Sequence, residues 1–197
     1  MDIRRALTES CDVFFYQVGQ RLGVDRLAAY AKKLGLGTRS GIELEHEKAG
    51  IVPTKDWKRK RFKEKWHEGE TLSVAIGQGF NNMTPLQICL MTAAIANGGR
   101  IYQPQIVEMV KTTDGEIIER LTPKLLSELS SRDKSYLPIV KDGLFGVVQA
   151  RRCRWEAWTK RRVKESSTTT RGGKPPQHTT HAFYPLCCLF SCVLSTL

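Results

Sequence analysis

The sequence predicts an α/β (α+β) domain dominated by helices and carrying only a few short strands. Three observations predict it. Apolar residues recur at helical spacing in several segments closed by glycine, a Thr-Pro pair opens the most apolar segment, and a Thr-Asp-Gly turn separates two β-branched runs. At 197 residues the chain has room for one domain, or one domain and a tail. Its 41% hydrophobic and 26% charged residues are ordinary globular usage, which excludes wholesale disorder and collagen-like sequence.

The first element is a short helix over Asp2 to Glu9, with Asp2 placed to cap it. Ser10-Cys11-Asp12 interrupts the pattern. A second helix starts near Val13, with Phe14, Val18 and Leu22 on one face, and Gly23 ends it. Asp25 is placed to cap a third, Arg26 to Leu34, stopped by Gly35 and Gly37. Gly41 to Val52 reads as loop with a short strand. Lys55 to Glu68 is strongly basic and holds Trp57, Phe62 and Trp66; the expectation is a solvated loop whose aromatics pack back on the core, with RNA binding as the competing reading.

Thr71 to Ile76 alternates and is β-branched enough for a strand, followed by Gly77-Gln78-Gly79. Thr84-Pro85 has the form of an N-cap followed by proline at the first helical position. Leu86 to Asn97 then reads as a buried helix, apolar all round, with Cys89 as a small core residue. Ile106 to Val110 and Glu116 to Arg120 flank Thr113-Asp114-Gly115 as a hairpin. Two helices follow, Pro123 to Leu129 after a Thr122 cap, and Ser131 to Val148.

Charge divides the chain. Residues 151–197 hold nine Lys/Arg and two Asp/Glu, a net of +7, and four of the six cysteines. Residues 1–150 hold 22 basic and 18 acidic residues, a net of only +4. The expected organisation is therefore a body, 1–150, and an unrelated basic, Cys-rich and disordered tail, 151–197. The first ten residues lack the apolar run of a secretory signal. Ala182 to Leu197, 16 residues with Pro185 near the start, falls short of the ~20 apolar residues of a membrane span.

Several separate blocks carry a family likeness. Ala75-Ile76-Gly77-Gln78-Gly79, Met83-Thr84-Pro85-Leu86-Gln87 and Ala93 to Gly99 follow one another, with Tyr102 and Pro104 beyond. Together with the basic run from Trp57 to Trp66 and Glu9-Ser10-Cys11-Asp12-x-Phe14-Phe15, they resemble the transpeptidase domain of class B penicillin-binding proteins, the cell-elongation (penicillin-binding protein 2) branch in particular. The likeness covers roughly residues 1–150. It implies a penicillin-binding, serine-transpeptidase (β-lactamase-like) fold, here incomplete: mostly the helical subdomain, without the opening and closing strands of the central sheet. Part of the cover of Leu86 to Ala96 would then be missing, and marginal stability with aggregation is expected, because each exposed Leu or Ile forfeits ~1.5–3 kcal/mol of burial.

The implied activity is crosslinking of peptidoglycan stem peptides through a serine acyl-enzyme that also captures β-lactams. A serine hydroxyl needs a nearby base, and the superfamily supplies it through Ser-x-x-Lys, Ser-x-Asn and Lys-Thr-Gly signatures. By resemblance Ser10-Cys11-Asp12 is the second signature, with Ser10 as proton-relay hydroxyl and Asp12, in place of the usual Asn, facing the substrate; alternatively Ser10 or Asp12 simply caps the helix that follows. Ser131-Arg132-Asp133-Lys134 is the only formal Ser-x-x-Lys and reads as a helix cap. Lys111-Thr112-Thr113 and Lys141-Asp142-Gly143 are rejected as the third signature. The chain is thus expected to be catalytically incomplete alone.

After Ala150 the family pattern stops abruptly, which points to a reading-frame shift there. His178, His181, Cys187, Cys188 and Cys192 are zinc-type ligands in spacings that match no usual finger, so no metal and no cofactor is expected. Trp155 and Trp158 among arginines would give non-specific nucleic-acid affinity only. The expected partners are stem peptides, β-lactams and proteins of the elongation machinery, with no specific nucleic acid. The family is anchored in the inner membrane with a periplasmic catalytic domain; a chain without signal or anchor is expected in the cytoplasm.

Overall fold

The structure is a computed structural model and describes residues 1–166, of which 151–166 as backbone. The order is α1 (Ile3–Thr8), α2 (Asp12–Leu22), α3 (Val24–Lys33), α4 (Lys55–Phe62), α5 (Glu68–Ala75), α6 (Pro85–Ala96), β1 (Arg100–Tyr102), β2 (Met109–Lys111), β3 (Ile117–Arg120), β4 (Leu125–Glu128) and α7 (Ser131–Ser166). The mixed, mainly helical class is the one the sequence predicts. The predicted division at Ala150 falls inside α7, and His178, His181, Cys187, Cys188 and Cys192 lie outside the described residues.

The core is built by packing α2 on α5 and α3, α1 on α7, and α6 on β1 and α7. Leu7, Leu27, Leu34, Leu36, Met91 and Val140 are among its fully buried side chains. Burying a side chain of this kind contributes ~1.5–3 kcal/mol, so these residues hold the helices together rather than helix propensity. Two glycines let α1 approach α7. A Cβ on Gly143 would stand 2.9 Å from Leu7 Cβ, and one on Gly146 would collide with the Thr8 hydroxyl.

Several predicted elements form as expected. Asp2 Oδ1 accepts from the Arg5 amide at 2.8 Å and starts α1. Thr84 Oγ1 accepts from the Gln87 amide at 3.2 Å while Gln87 Oε1 accepts from the Thr84 amide at 3.1 Å, a reciprocal capping box with Pro85 at the first turn of α6. β2 and β3 form the antiparallel hairpin, with Met109 opposite Arg120 and Gly115 at φ 91° in the turn.

Other expectations are corrected. Thr71 to Ile76 is not a strand but the end of α5: Thr71, Val74 and Ala75, at helical spacing, are the buried positions, and Glu70 caps the helix start by accepting from the His67 amide at 2.9 Å. Pro123 to Leu129 is not a helix. Leu125–Glu128 instead pairs antiparallel with β1, Arg100 opposite Glu128, because seven residues are too few for a stable isolated helix and the β1 edge offers hydrogen bonds.

Gly41 to Val52 contributes a single bridge, Ile51 to Asn82, rather than a strand. The basic stretch is helical, not a loop, over α4. Asp25 does not cap its own helix, since Gly23 holds that position and Asp25 lies in the first turn; its carboxylate accepts from the Lys55 amide at 3.1 Å and so caps α4. Finally, α6 buries one face, Gln87, Met91, Ala94 and Ile95, and Cys89 is exposed on the other.

Candidate functional site

Ser10, Cys11 and Asp12 occupy the junction between α1 and α2. The Cys11 amide donates to Ala6 O at 2.9 Å and the Ser10 amide to Leu7 O at 3.1 Å. This pair of bonds is a Schellman ending, in which the residue after the helix takes a left-handed conformation. Ser10 takes it, at φ 54°. The same bond pair ends two other helices, where Gly35 and Leu36 amides close α3 at 3.0 Å each and Gly77 and Gln78 amides close α5 at 3.0 and 2.8 Å; after α6 the outer bond alone forms, from the Gly99 amide to Ala94 O at 2.7 Å. In those three the left-handed residue is Gly35, Gly77 or Gly98. Ser10 carries a side chain there, as does Lys63 (φ 62°) at the end of α4, each against a steric penalty of ~1–2 kcal/mol for an L-residue.

The capping alternative for Ser10 and Asp12 is corrected. Cys11 is the N-cap of α2 and makes no side-chain cap bond, while Asp12 is the first helical residue. Asp12 is exposed beside exposed Val13, Ser10 is half-buried, and Cys11 packs partly into the core. A carboxylate in the first turn is favoured by the helix dipole, and Asp12 makes no side-chain hydrogen bond or ion pair among the described residues. The two predicted site residues are thus brought to one junction, a strained hydroxyl followed by an open carboxylate.

The rejected signatures have ordinary structural roles. The cap of α7 is Ser130, not Ser131: Ser130 Oγ accepts from the Asp133 amide at 3.1 Å and donates to Asp133 Oδ2 at 2.7 Å. Ser131 is exposed, and Lys134 Nζ donates to Glu128 Oε1 at 2.6 Å. Ser131 is ~18 Å along the helix from Gly143, where α1 docks. Lys141-Asp142-Gly143 lies within α7, and Lys141 Nζ donates to the last carbonyl of α6, Ala96 O, at 2.9 Å. Thr112 Oγ1 accepts from the Glu116 amide at 3.0 Å inside the hairpin.

Three buried polar groups, none foreseen from the sequence, brace the scaffold. Gln87 Nε2 donates to Thr38 O at 2.6 Å and Ala49 O at 2.8 Å, tying the 38–50 loop to α6. Asp133 accepts from Tyr30 Oη at 3.4 Å and Lys33 Nζ at 3.3 Å, joining α3 to α7; burial pushes its carboxyl up, but Ser130 and Lys33 outweigh this and leave it below the usual value. Lys58, with a side chain only 3% exposed, donates to Glu70 Oε1 at 2.5 Å and joins α4 to α5. Burial likewise pushes Glu70 up, and Lys58 and the His67 amide bring it below the ordinary value. The capping patterns Glu70 after His67 and Asp133 after Ser130 were the available sequence signals.

A family model described as the penicillin-binding protein transpeptidase domain matches residues 1–168. Peptidoglycan D,D-transpeptidase MrdA of Haemophilus influenzae is 37% identical over 150 residues, covering 76% of this chain and 23% of the relative. MrdA of Escherichia coli K12 is 37% identical over 147 residues, covering 75% and 23%. Among solved structures, penicillin-binding protein 2 of Helicobacter pylori in complex with MreC superposes at TM-score 0.63 with 33% identity, over 74% of this chain and 25% of that one. A peptidoglycan synthase complex that coordinates polymerization and crosslinking gives TM-score 0.64 with 40% identity, over 75% and 24%. The chain thus spans about a quarter of the length of the relatives it matches.

Proposed function

Because the chain belongs to the penicillin-binding protein transpeptidase family, we propose that it is a segment of a penicillin-binding protein 2-type peptidoglycan D,D-transpeptidase and supplies the second catalytic signature of that enzyme. In this reading Ser10 Oγ relays a proton between the lysine base and the leaving amine, and the Asp12 carboxylate faces the stem-peptide backbone. Neither group can begin the reaction. Acylation needs a serine made nucleophilic by a lysine one helical turn away, and the one Ser-x-x-Lys of this sequence is committed to the start of α7, with Lys134 paired to Glu128. The 197 residues alone are therefore inactive.

The observation that supports this reading best is the left-handed backbone at Ser10. A residue held in a sparsely populated conformation marks a functional position when its neighbours over-determine it; the ends of α3, α5 and α6 use glycine there, and the other side chain at such an end, Lys63 of α4, is exposed whereas Ser10 is half-buried. Two experiments test the proposal. Purified chain treated with a fluorescent penicillin acquires no covalent adduct by intact mass spectrometry; a stoichiometric adduct overturns the claim of inactivity. A chimera with residues 1–150 in place of the matching segment of Escherichia coli MrdA acylates, and Ser10→Ala within it lowers the acylation rate by ~10²–10⁴; an unchanged rate removes Ser10 from the mechanism.

Two further parts of the reading have their own tests. A relative solved with MreC favours an interaction with elongation proteins, which co-purification of the chain with MreC supports and its absence denies. The change of composition after Ala150 is attributed to a reading-frame shift, which fails if neither other frame of the encoding DNA restores a Gly-rich run followed by Lys-Thr-Gly.

A further inference from the structure

The most concentrated charge among the described residues lies on α4 and the turn after it. Residues 55–65 contain seven Lys/Arg and two acidic residues, a net of +5, whereas all of 1–150 nets +4. The rest of the body is therefore close to neutral. Of the seven cations Lys58 is turned inward onto Glu70; Lys55, Arg59, Lys60, Arg61, Lys63 and Lys65 are exposed. Arg59 pairs with Asp56, and the other five exposed cations have no ion pair among the described residues.

These charges are presented on a fixed frame. Thr54 Oγ1 accepts from the Trp57 amide at 3.0 Å, Asp25 accepts from the Lys55 amide at 3.1 Å, and the Lys58–Glu70 pair pins the inner face. Lys55, Arg59 and Lys65 converge with Trp66 on an open cleft of about 500 Å³ whose other lining groups are Asp25 and Asp56. Phe62, 46% exposed, stands among the cations.

We propose that this face docks on an anionic phospholipid surface. Lys60, Arg61 and Lys63 engage headgroup phosphates, Phe62 enters the interfacial layer, and the cleft under Lys55, Arg59 and Lys65 takes one headgroup. A cluster of cations beside an exposed aromatic side chain is the pattern that binds anionic bilayers, since the phosphates supply the opposite charge and the aromatic edge gains apolar contact. A single-stranded nucleic acid would instead need free aromatic faces for base stacking. These rings instead pack on one another, leaving Phe62 as the most exposed of them: Trp57 lies 5.7 Å from Phe62 and 5.4 Å from Phe80, Phe62 lies 5.5 Å from Phe80, and Trp66 is 6.3 Å from Phe80 with its Nε1 donating to Thr71 at 2.8 Å.

The test is vesicle flotation of the full chain with phosphatidylcholine vesicles, with or without phosphatidylglycerol, alongside retention on a single-stranded RNA. Because residues 151–197 are also basic, the variants must separate the two sources. The chain is expected to float only with phosphatidylglycerol. The triple variant Lys60→Glu, Arg61→Glu, Lys63→Glu is expected to lose about a hundredfold in partitioning, at about fivefold per cation, and the matching Gln triple, which guards against a folding defect, to lose less but in the same direction. Phe62→Ser lowers partitioning several-fold, and Arg151→Glu, Arg152→Glu, Arg154→Glu leaves most of it. The proposal is overturned by equal flotation with pure phosphatidylcholine, by binding that follows the 151–154 reversal and ignores α4, or by RNA retention tighter than vesicle binding and lost with the α4 triple. None of these readouts involves acylation, so this proposal and the transpeptidase reading fail separately.

Discussion

Replacing Ser10 by glycine and by alanine isolates the backbone at the α1–α2 junction, because both variants lack the hydroxyl and differ only in freedom at φ 54°. Alanine keeps the left-handed penalty of ~1–2 kcal/mol. Glycine removes it but gives the unfolded chain more freedom, which returns ~0.4–1 kcal/mol. The difference favours glycine by about 1 kcal/mol, or roughly fivefold in a local opening equilibrium. The reporters are the two amides that close the helix, Ser10 to Leu7 O and Cys11 to Ala6 O. Hydrogen exchange followed by mass spectrometry, corrected for intrinsic rates, should find them about fivefold better protected in Ser10→Gly than in Ser10→Ala. Equal protection, or a better protected alanine variant, refutes the claim that this position is strained. The same glycine variant in the enzyme chimera should lose acylation, so that stability rises as activity falls.

Three other perturbations follow from the buried polar groups and the α1–α7 contact. Gln87→Leu removes three hydrogen bonds worth ~1 kcal/mol each, and the Ile51 and Asn82 amides, paired at 2.5 and 3.0 Å across the loop, should exchange roughly a hundredfold faster; Thr92→Ala on the exposed side of α6 should leave them unchanged. Asp133, Glu70 and Glu47 all lie below their ordinary values, Glu47 because the Ser40 hydroxyl and amide and the Gly41 amide outweigh the upward push of burial. Ionised carboxylates are thus favoured in the fold: their stabilisation is complete above the unfolded-state values of ~4 and disappears as pH falls through the depressed folded ones, so circular dichroism should show loss of structure on the acid side, reduced in slope by Asp133→Asn. Gly143→Val should push α1 off α7 through Leu7, speed tryptic cleavage at Arg4 and Arg5 about tenfold for ~1–3 kcal/mol of overpacking, and be partly rescued by Leu7→Ala.

What the sequence disclosed was local chemistry. Asp2 capping α1, Thr84-Pro85 opening α6, and Asp114-Gly115 turning the hairpin are each decided within four residues, and each formed as predicted, with Gln87 adding an unforeseen reciprocal cap at α6. What it concealed depends on residues far apart. Pro123 to Leu129 read as a helix after a Thr122 cap, but the conformation of Leu125–Glu128 is set by the open edge of β1, more than twenty residues earlier. Thr71 to Ile76 alternates like a strand, yet Thr71, Val74 and Ala75 also share a helical face, and packing against α2 at Gly19 chooses that one. Asp25 precedes an apolar helix as a cap should, and is captured instead by the Lys55 amide thirty residues on. At the candidate site the pattern nominated Ser10 and Asp12, but no spacing reveals that a serine would take the backbone that glycine takes at the ends of α3, α5 and α6.

The junction draws its geometry from two separate packings, and this decides which parts of the chain the site needs. On one side α1 rests on α7 through Leu7 against Gly143 and Thr8 against Gly146. On the other, α2 rests on α5 through Gly19 against Ala75, two residues before the Gly77-Gln78-Gly79 turn. Movement of either partner rotates Ser10 relative to Asp12, because the Schellman bonds leave the junction no slack residue. α7 is in turn fixed to α3 by Asp133, and α5 to α4 by Lys58. Every one of these contacts uses residues before Ala150. Among the described side chains the strained serine is therefore held by contacts of residues 1–150, and α7 acts on it through the turns at Gly143 and Gly146.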